Sequence, residues 1–241
     1  ANNIRFTSRV QIFEIGSIYL RHQGQELPDE PRRLGILLTG PREKESWLGG
    51  DTSPVDFYDM KGVIEGLIAG LHIDGAEFVR GTHTSFHPGR SADLLVNGQY
   101  AGTFGELHPR VAMALELDGI DPIYLAELDL EVLLAHLNDR HPVKPLPETP
   151  PVLQDIAMLV PVDMPAAEVE TVIRKAGGRL LDEVELFDVY QGDNIEAGYK
   201  SLAYHLTYRD MERTLTDKEV AKVHKRIMSS VEKQLGAKVR K

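Results

Sequence analysis

Residues 186–220 read LFDVYQGDNIEAGYKSLAYHLTYRDMERTLTDKEV, and the parsing of this stretch decides the C-terminal fold. On either side of a Gly-containing loop, apolar residues alternate with polar ones, the period-2 signature of an antiparallel pair with one buried face. The spacing predicts strands over Leu181–Tyr190 and Lys200–Arg209. Thr216 and Glu219 then stand at Thr-x-x-Glu spacing, a capping box whose hydroxyl and carboxylate satisfy backbone N–H groups left free at a helix start. Val220, Val223, Ile227, Val231 and Leu235 continue as one amphipathic stripe, stopped at Gly236 before a short strand, Ala237–Arg240.

Upstream, Asp155–Val160 reads as a strand, and Val169, Val172, Ile173 and Ala176 as a helical stripe ending at Gly177-Gly178. The order is therefore βαββαβ, the ferredoxin-like α+β plan, which covers one sheet face with two helices and leaves the other open. Before it, residues 139–152 run DRHPVKPLPETPPV. Pro142, Pro145, Pro147, Pro150 and Pro151 oppose helix and sheet ladders and favour an extended connector. The expected division is a first domain over 1–140, a linker over 141–151 and a second domain over 152–241.

The first domain reads as mixed, mostly antiparallel α+β. Val10–Leu20 and Leu34–Thr39 are predicted strands. Phe57, Met60, Val63, Ile64, Leu67, Ile68 and Leu71 recur at three- and four-residue steps on one helix face, with Ser53 as the expected N-cap and Pro54 at the first helical position. In DLLVNGQYAGTF, residues 93–104, Asn97-Gly98 suit a type I′ hairpin turn. Ile123–Leu130 adds a strand and Glu131–Leu137 a short helix.

Composition bounds the function. The 241 residues are 42% apolar and 27% charged, with no apolar run long enough to span a bilayer. Net charge is −10, which argues against a general phosphate-neutralising binder. Beyond Pro145 there are 16 acidic and 14 basic residues, so about −2 falls there and −8 on the rest. There is no cysteine, which excludes disulfides, thiolate metal sites and cysteine nucleophiles and fits a reducing cytoplasm. The first residues, ANNIRFTSRVQIF, lack an initiator Met and the build of a signal peptide, so the chain reads as a piece of something longer.

Several chemistries find little support. His83, His87 and His108 suggest a metal hydrolase, but Thr82, Ser85, Pro88 and Gly89 make that segment a loop. His87-Pro88-Gly89-Arg90 then reads as a tight turn and His108-Pro109 as a strand end. Neither a Gly-x-Gly-x-x-Gly or Gly-Lys-Ser/Thr loop nor a Gly-x-Ser-x-Gly elbow is present.

The C-terminal sheet offers more. With Leu202, Tyr204, Leu206 and Tyr208 under the helices, the open face receives Ser201, Ala203, His205 and Thr207. Ala157 shares that face if Ile156, Met158 and Val160 point inward. Phe187 and Val189 inward would put Asp188 and Tyr190 outward. An outward Tyr beside Ala and Ser is a platform for an unpaired base. Spacing alone favours the plainer reading of a half-exposed Tyr, and Lys218, Lys222, Lys225 and Arg226 can equally be a solvated helix face. A ferredoxin-like module binding a small regulatory molecule also stands as an alternative.

An ordered series of runs then carries a resemblance: Phe13-Glu14-Ile15-Gly16, Trp47, Asp56-Phe57-Tyr58-Asp59-Met60-Lys61-Gly62, His87-Pro88-Gly89-Arg90-Ser91-Ala92, Gly105-Glu106-Leu107-His108-Pro109, Ala126-Glu127-Leu128-Asp129, Phe187-Asp188-Val189-Tyr190-Gln191-Gly192, Lys200-Ser201-Leu202-Ala203 and Arg213-Thr214-Leu215-Thr216. Together they resemble the C-terminal part of the β subunit of bacterial phenylalanine–tRNA ligase. The resemblance implies that residues 1–140 form a class II synthetase-like, catalytic-like module that docks on the α subunit without itself catalysing. It also implies that 152–241 is a ferredoxin-fold anticodon-binding domain. ATP, Mg²⁺ and phenylalanine sites would lie on the α subunit of a cytoplasmic α2β2 heterotetramer that attaches phenylalanine to tRNA(Phe). No catalytic residue, cofactor or metal is expected here, and no proofreading. By position Tyr190 resembles the residue that stacks on an anticodon base, with Ala157 and Ser201 beside it; His205 and Arg209 are added from strand parity. One departure is Gln154, where the family usually has Arg before the Asp of the first C-terminal strand, so no charged contact to the RNA face or to Asp155 is expected from this position.

Overall fold

Among the described residues, which in this computed structural model are 6–117, 119–120, 122–139 and 146–240, the chain forms two antiparallel sheets. They belong to two compact units, Ala1–Pro142 and Val143–Lys241, so the architecture is α+β in both halves. Pro142 and Pro145 of the expected linker lie outside the described residues.

In the first unit the strands are β1 (Val10–Ser17), β2 (Arg32–Thr39), β3 (Ala76–Arg80), β4 (Phe86–Val96), β5 (Gln99–Leu107) and β6 (Tyr124–Asp129), in sheet order β1-β2-β6-β5-β4-β3. Helices α1 (Phe57–Gly70) and α3 (Leu130–His136) close one face over a core that includes Leu34, Ile36, Met60, Ile64, Leu94, Phe104, Leu128 and Leu133. Each such fully buried side chain contributes about 1.5–3 kcal/mol. The Asn97-Gly98 turn forms as expected, with φ of 49° and 79°.

Several expectations are corrected here. Helix α1 begins after Asp56, not Ser53: Asp56 accepts from the Tyr58 and Asp59 amides while the Asp59 carboxylate accepts from the Asp56 amide. Arg42 braces this box by bonding Asp56 at 2.7 Å and Asp59 at 3.0 Å. Val63 is 45% exposed and leaves the helix stripe, whose buried residues are Met60, Ile64 and Ile68. β1 ends at Ser17, and Leu20 makes only an isolated bridge to Asp29. His87-Pro88-Gly89-Arg90 is no turn but part of β4, at a place where pairing with β5 lapses between Phe86 and Ser91. Pro88 has no N–H to give the ladder, and the Gly89 amide turns to His87 Nδ1 at 3.1 Å. β3 and the short helix α2 (Pro109–Ala114), capped by His108, were not anticipated.

The second unit is β7 (Val152–Pro161), α4 (Ala166–Gly177), β8 (Leu181–Tyr190), β9 (Tyr199–Tyr208), α5 (Asp217–Leu235) and β10 (Lys238–Arg240). The sheet order is β10-β7-β9-β8, the ferredoxin-like arrangement, with α4 and α5 packed on one face. At the start of α5 the Glu219 carboxylate accepts from the Thr216 amide and hydroxyl and is held bidentately by Arg213. These bonds, Arg213 foremost, lower the Glu219 pKa to about 2. Gly178 and Gly236, both at positive φ, end α4 and α5. Tyr204 donates to the Ala166 carbonyl and Tyr208 hydrogen-bonds His224 at 2.9 Å. Burial pushes both phenols up and His224 down, which favours the uncharged form of each. None of the described helices is long and apolar enough to cross a membrane.

Candidate nucleic-acid interface

Cross-strand register assigns the uncovered face of the second sheet residue by residue. Leu202, Tyr204, Leu206 and Tyr208 are buried under α4 and α5, which turns the alternate residues of β9 to the other side. Three rows result: Leu159–Ser201–Tyr190, Ala157–Ala203–Asp188 and Asp155–His205–Glu185 across β7, β9 and β8. On the other flank β10 sets Lys238 opposite Leu159 and Arg240 opposite Ala157.

Tyr190, 42% exposed, stands directly across from Ser201. Ser201 is 3% exposed, and its hydroxyl accepts from the Arg240 guanidinium at 3.4 Å. The Tyr190 ring leans over Gly192, where an added Cβ would meet the phenol oxygen at 2.5 Å and Cζ at 2.7 Å. Ala157 and Ala203 give the middle row a floor without bulk. Tyr190, Ser201 and Ala157 are thus brought together, and His205 lies two positions along β9 from Ala203.

Phe187 departs from the parity expectation. Leu186 pairs with Tyr204 but Asp188 pairs with Ala203, so Phe187 is the extra residue of a β-bulge and does not point under the helices. Its ring, 47% exposed, stacks on His205 with centroids 3.8 Å apart and planes 9° from parallel. His205 is in turn fixed by its Nδ1 contact to Asp155 Oδ1 at 2.7 Å. Val189 resumes the inward register opposite Leu202, yet on the edge strand it stays exposed.

Arg209 does not join this cluster. β9 ends at Tyr208, the Arg209 amide bonds the Leu180 carbonyl, and its guanidinium sits 3.3 Å from Asp182. Eight positions separate it from Ser201, about 26 Å along an extended strand. Gln154 lies opposite Leu206 on the helix side, and the partner of Asp155 is His205. Lys218, Lys222, Lys225 and Arg226 all belong to α5, behind the sheet, and Arg226 caps the Gly177 carbonyl at 3.0 Å. In the first unit, Nδ1 of His83, His87 and His108 each accepts from the backbone amide two residues on. Among the described residues no three His, Asp or Glu side chains gather to hold a metal ion.

Residues 1–130, more than half of the chain, match the family model described as the phenylalanyl tRNA synthetase beta chain CLM domain. The chain belongs to the phenylalanyl-tRNA synthetase beta chain family. Residues 147–240 match the ferredoxin-fold anticodon binding domain, so every interface residue above falls within that match. Among curated members, the phenylalanine–tRNA ligase beta subunit of Symbiobacterium thermophilum is 44% identical over 95% of this chain and 25% of its own length. That of Bacillus subtilis is 39% identical over 96% of this chain and 28% of its own length, and that of Syntrophotalea carbinolica 38% over 97% and 29%. The chain therefore spans about a quarter of the length of the phenylalanyl-tRNA synthetase beta chains it matches.

Proposed function

We propose that this chain supplies tRNA anticodon binding and subunit docking to a cytoplasmic phenylalanine–tRNA ligase, the enzyme that joins phenylalanine to tRNA(Phe) at the expense of ATP. The observation that carries the reading is the row Leu159–Ser201–Tyr190 beside Ala157, in which an exposed aromatic ring borders a small, polar floor. Such a ring stacks on an unpaired base, for about 1–3 kcal/mol. Residues 152–241 take the anticodon; 141–151 connect; residues 1–140 dock on the α subunit of an α2β2 heterotetramer.

Support for docking comes from β1, an edge strand that leaves Ile12, Phe13 and Ile15 exposed, and from exposed Trp47 and Tyr58. Unpaired edges and apolar surface of this kind are what a protein partner covers. No residue here is given a catalytic role, and ATP and Mg²⁺ belong to the α subunit. The test is titration of the chain with a tRNA(Phe) anticodon stem-loop: Tyr190→Ala weakens binding while the folded spectrum persists. Unchanged affinity would sink the assignment. ATP–pyrophosphate exchange by the chain with α rigorously absent would overturn the non-catalytic part.

A further inference from the structure

We propose that Phe187 is a second base-stacking platform, taking the unpaired nucleobase that neighbours the one on Tyr190, with His205 as its positioning residue. This rests on the anticodon-binding reading of the face and adds a contact to it. Phe187 reaches the open side only because it is the bulged residue between the Leu186–Tyr204 and Asp188–Ala203 pairs. The two aromatic residues lie three positions apart on β8, about 10 Å, within reach of adjacent nucleotides of an unstacked strand.

The ring is held before any ligand arrives. One of its faces is taken by His205, nearly parallel at 3.8 Å, and His205 is locked by Asp155; its exposed part remains for a base. A ring already fixed in place loses little conformational freedom on binding. The charge around it points the same way. Asp155, Glu185 and Asp188 occupy the same face, against Lys238 and Arg240 at the far flank. Such a surface does not collect phosphates, and the attraction left to it is the π face. Phe187 has no hydrogen-bonding group, so its contact tolerates any base, whereas Tyr190 and Ser201 carry hydroxyls that discriminate.

The test uses the full 241-residue chain and an RNA anticodon hairpin carrying 2-aminopurine at one loop position at a time. Two loop positions should respond on binding, one lost in Tyr190→Ala and the adjacent one in Phe187→Ala, the latter with about a 5- to 150-fold weaker Kd. Phe187→Leu keeps apolar bulk on His205 but removes the π face, so it should lose the same signal, while Phe187→Trp keeps it. His205→Ala should add nothing to Phe187→Ala, and His205→Phe, which restores a flat ring beneath Phe187, should bind as the parent. If Tyr190→Ala weakens binding but Phe187→Leu binds as the parent, the second platform is wrong and the anticodon reading stands. If the parent does not bind the hairpin, both fall.

Discussion

The six-stranded and four-stranded sheets each pack one face under helices, and they differ in what stays uncovered. The larger sheet ends in β1, where Ile12, Phe13 and Ile15 are exposed on both sides of an unpaired edge. The smaller one presents Ala157, Ser201 and Ala203 as a low floor with Tyr190 and the Phe187–His205 stack as its raised features. Apolar bulk along an edge suits a protein surface of matching shape. A floor of small side chains bordered by flat rings suits a flat ligand.

The largest effect expected of any single change comes from crossing from one side of the smaller sheet to the other. Leu206→Ala, at a fully buried site, should cost about 2–5 kcal/mol in chemical denaturation. Leu153→Ala, on the exposed side of the neighbouring strand, should stay within about 0.5 kcal/mol of the parent. Equal losses would mean that the open face is covered after all. Next in size, Gly192→Ala should displace the Tyr190 ring and weaken binding of the anticodon hairpin without lowering stability as Leu206→Ala does. Retained affinity would show that the ring works in another pose.

For the larger sheet, Ile12→Lys with Phe13→Lys should abolish recovery of a complex with a co-expressed α subunit, while both changes leave hairpin binding at the parent value. Loss of RNA binding instead would erase the division between the two faces. Glu219 provides a pH contrast. Its pKa falls from 4.5 in the unfolded chain to about 2, so the stabilisation of the α5 start is complete above about 4.5 and is lost as pH falls toward 2. Stability curves of Glu219→Gln and the parent should converge over that window and differ above it. The smallest expected effect is that of salt: with few cations on the open face, the slope of log Kd for the hairpin against log salt should be shallow. A steep slope would reassign binding to the lysines of α5.

Much of the smaller unit was legible because its signals are local. The Thr216–Glu219 spacing, the Gly177-Gly178 stop and the alternation through Leu202, Tyr204, Leu206 and Tyr208 each fix a conformation from neighbours in sequence. The start of α1 was not legible in that way. Ser53-Pro54 and Asp56-Asp59 both have the chemistry of a cap, and it is Asp56 and Asp59 that form the box, with both carboxylates bonded by Arg42 from outside the helix. Phe187 was misplaced because alternation was carried through a bulge. The adjacent apolar pair Leu186-Phe187, after the alternation of Val184, Glu185 and Leu186, is the trace such a bulge leaves. Arg209 was included by extending β9 parity one step past the strand's end, where the backbone has already turned to bond Leu180.

The bulge also sets a length rule for the edge strand. An unbulged strand would send residues 187 and 190, an odd interval apart, to opposite faces. The extra residue resets the count, so insertions and deletions there are not interchangeable with substitutions. Deleting Phe187 would make Leu186 and Asp188 successive rungs opposite Tyr204 and Ala203, and would leave Tyr190 as the one aromatic residue that β8 sends to the open face.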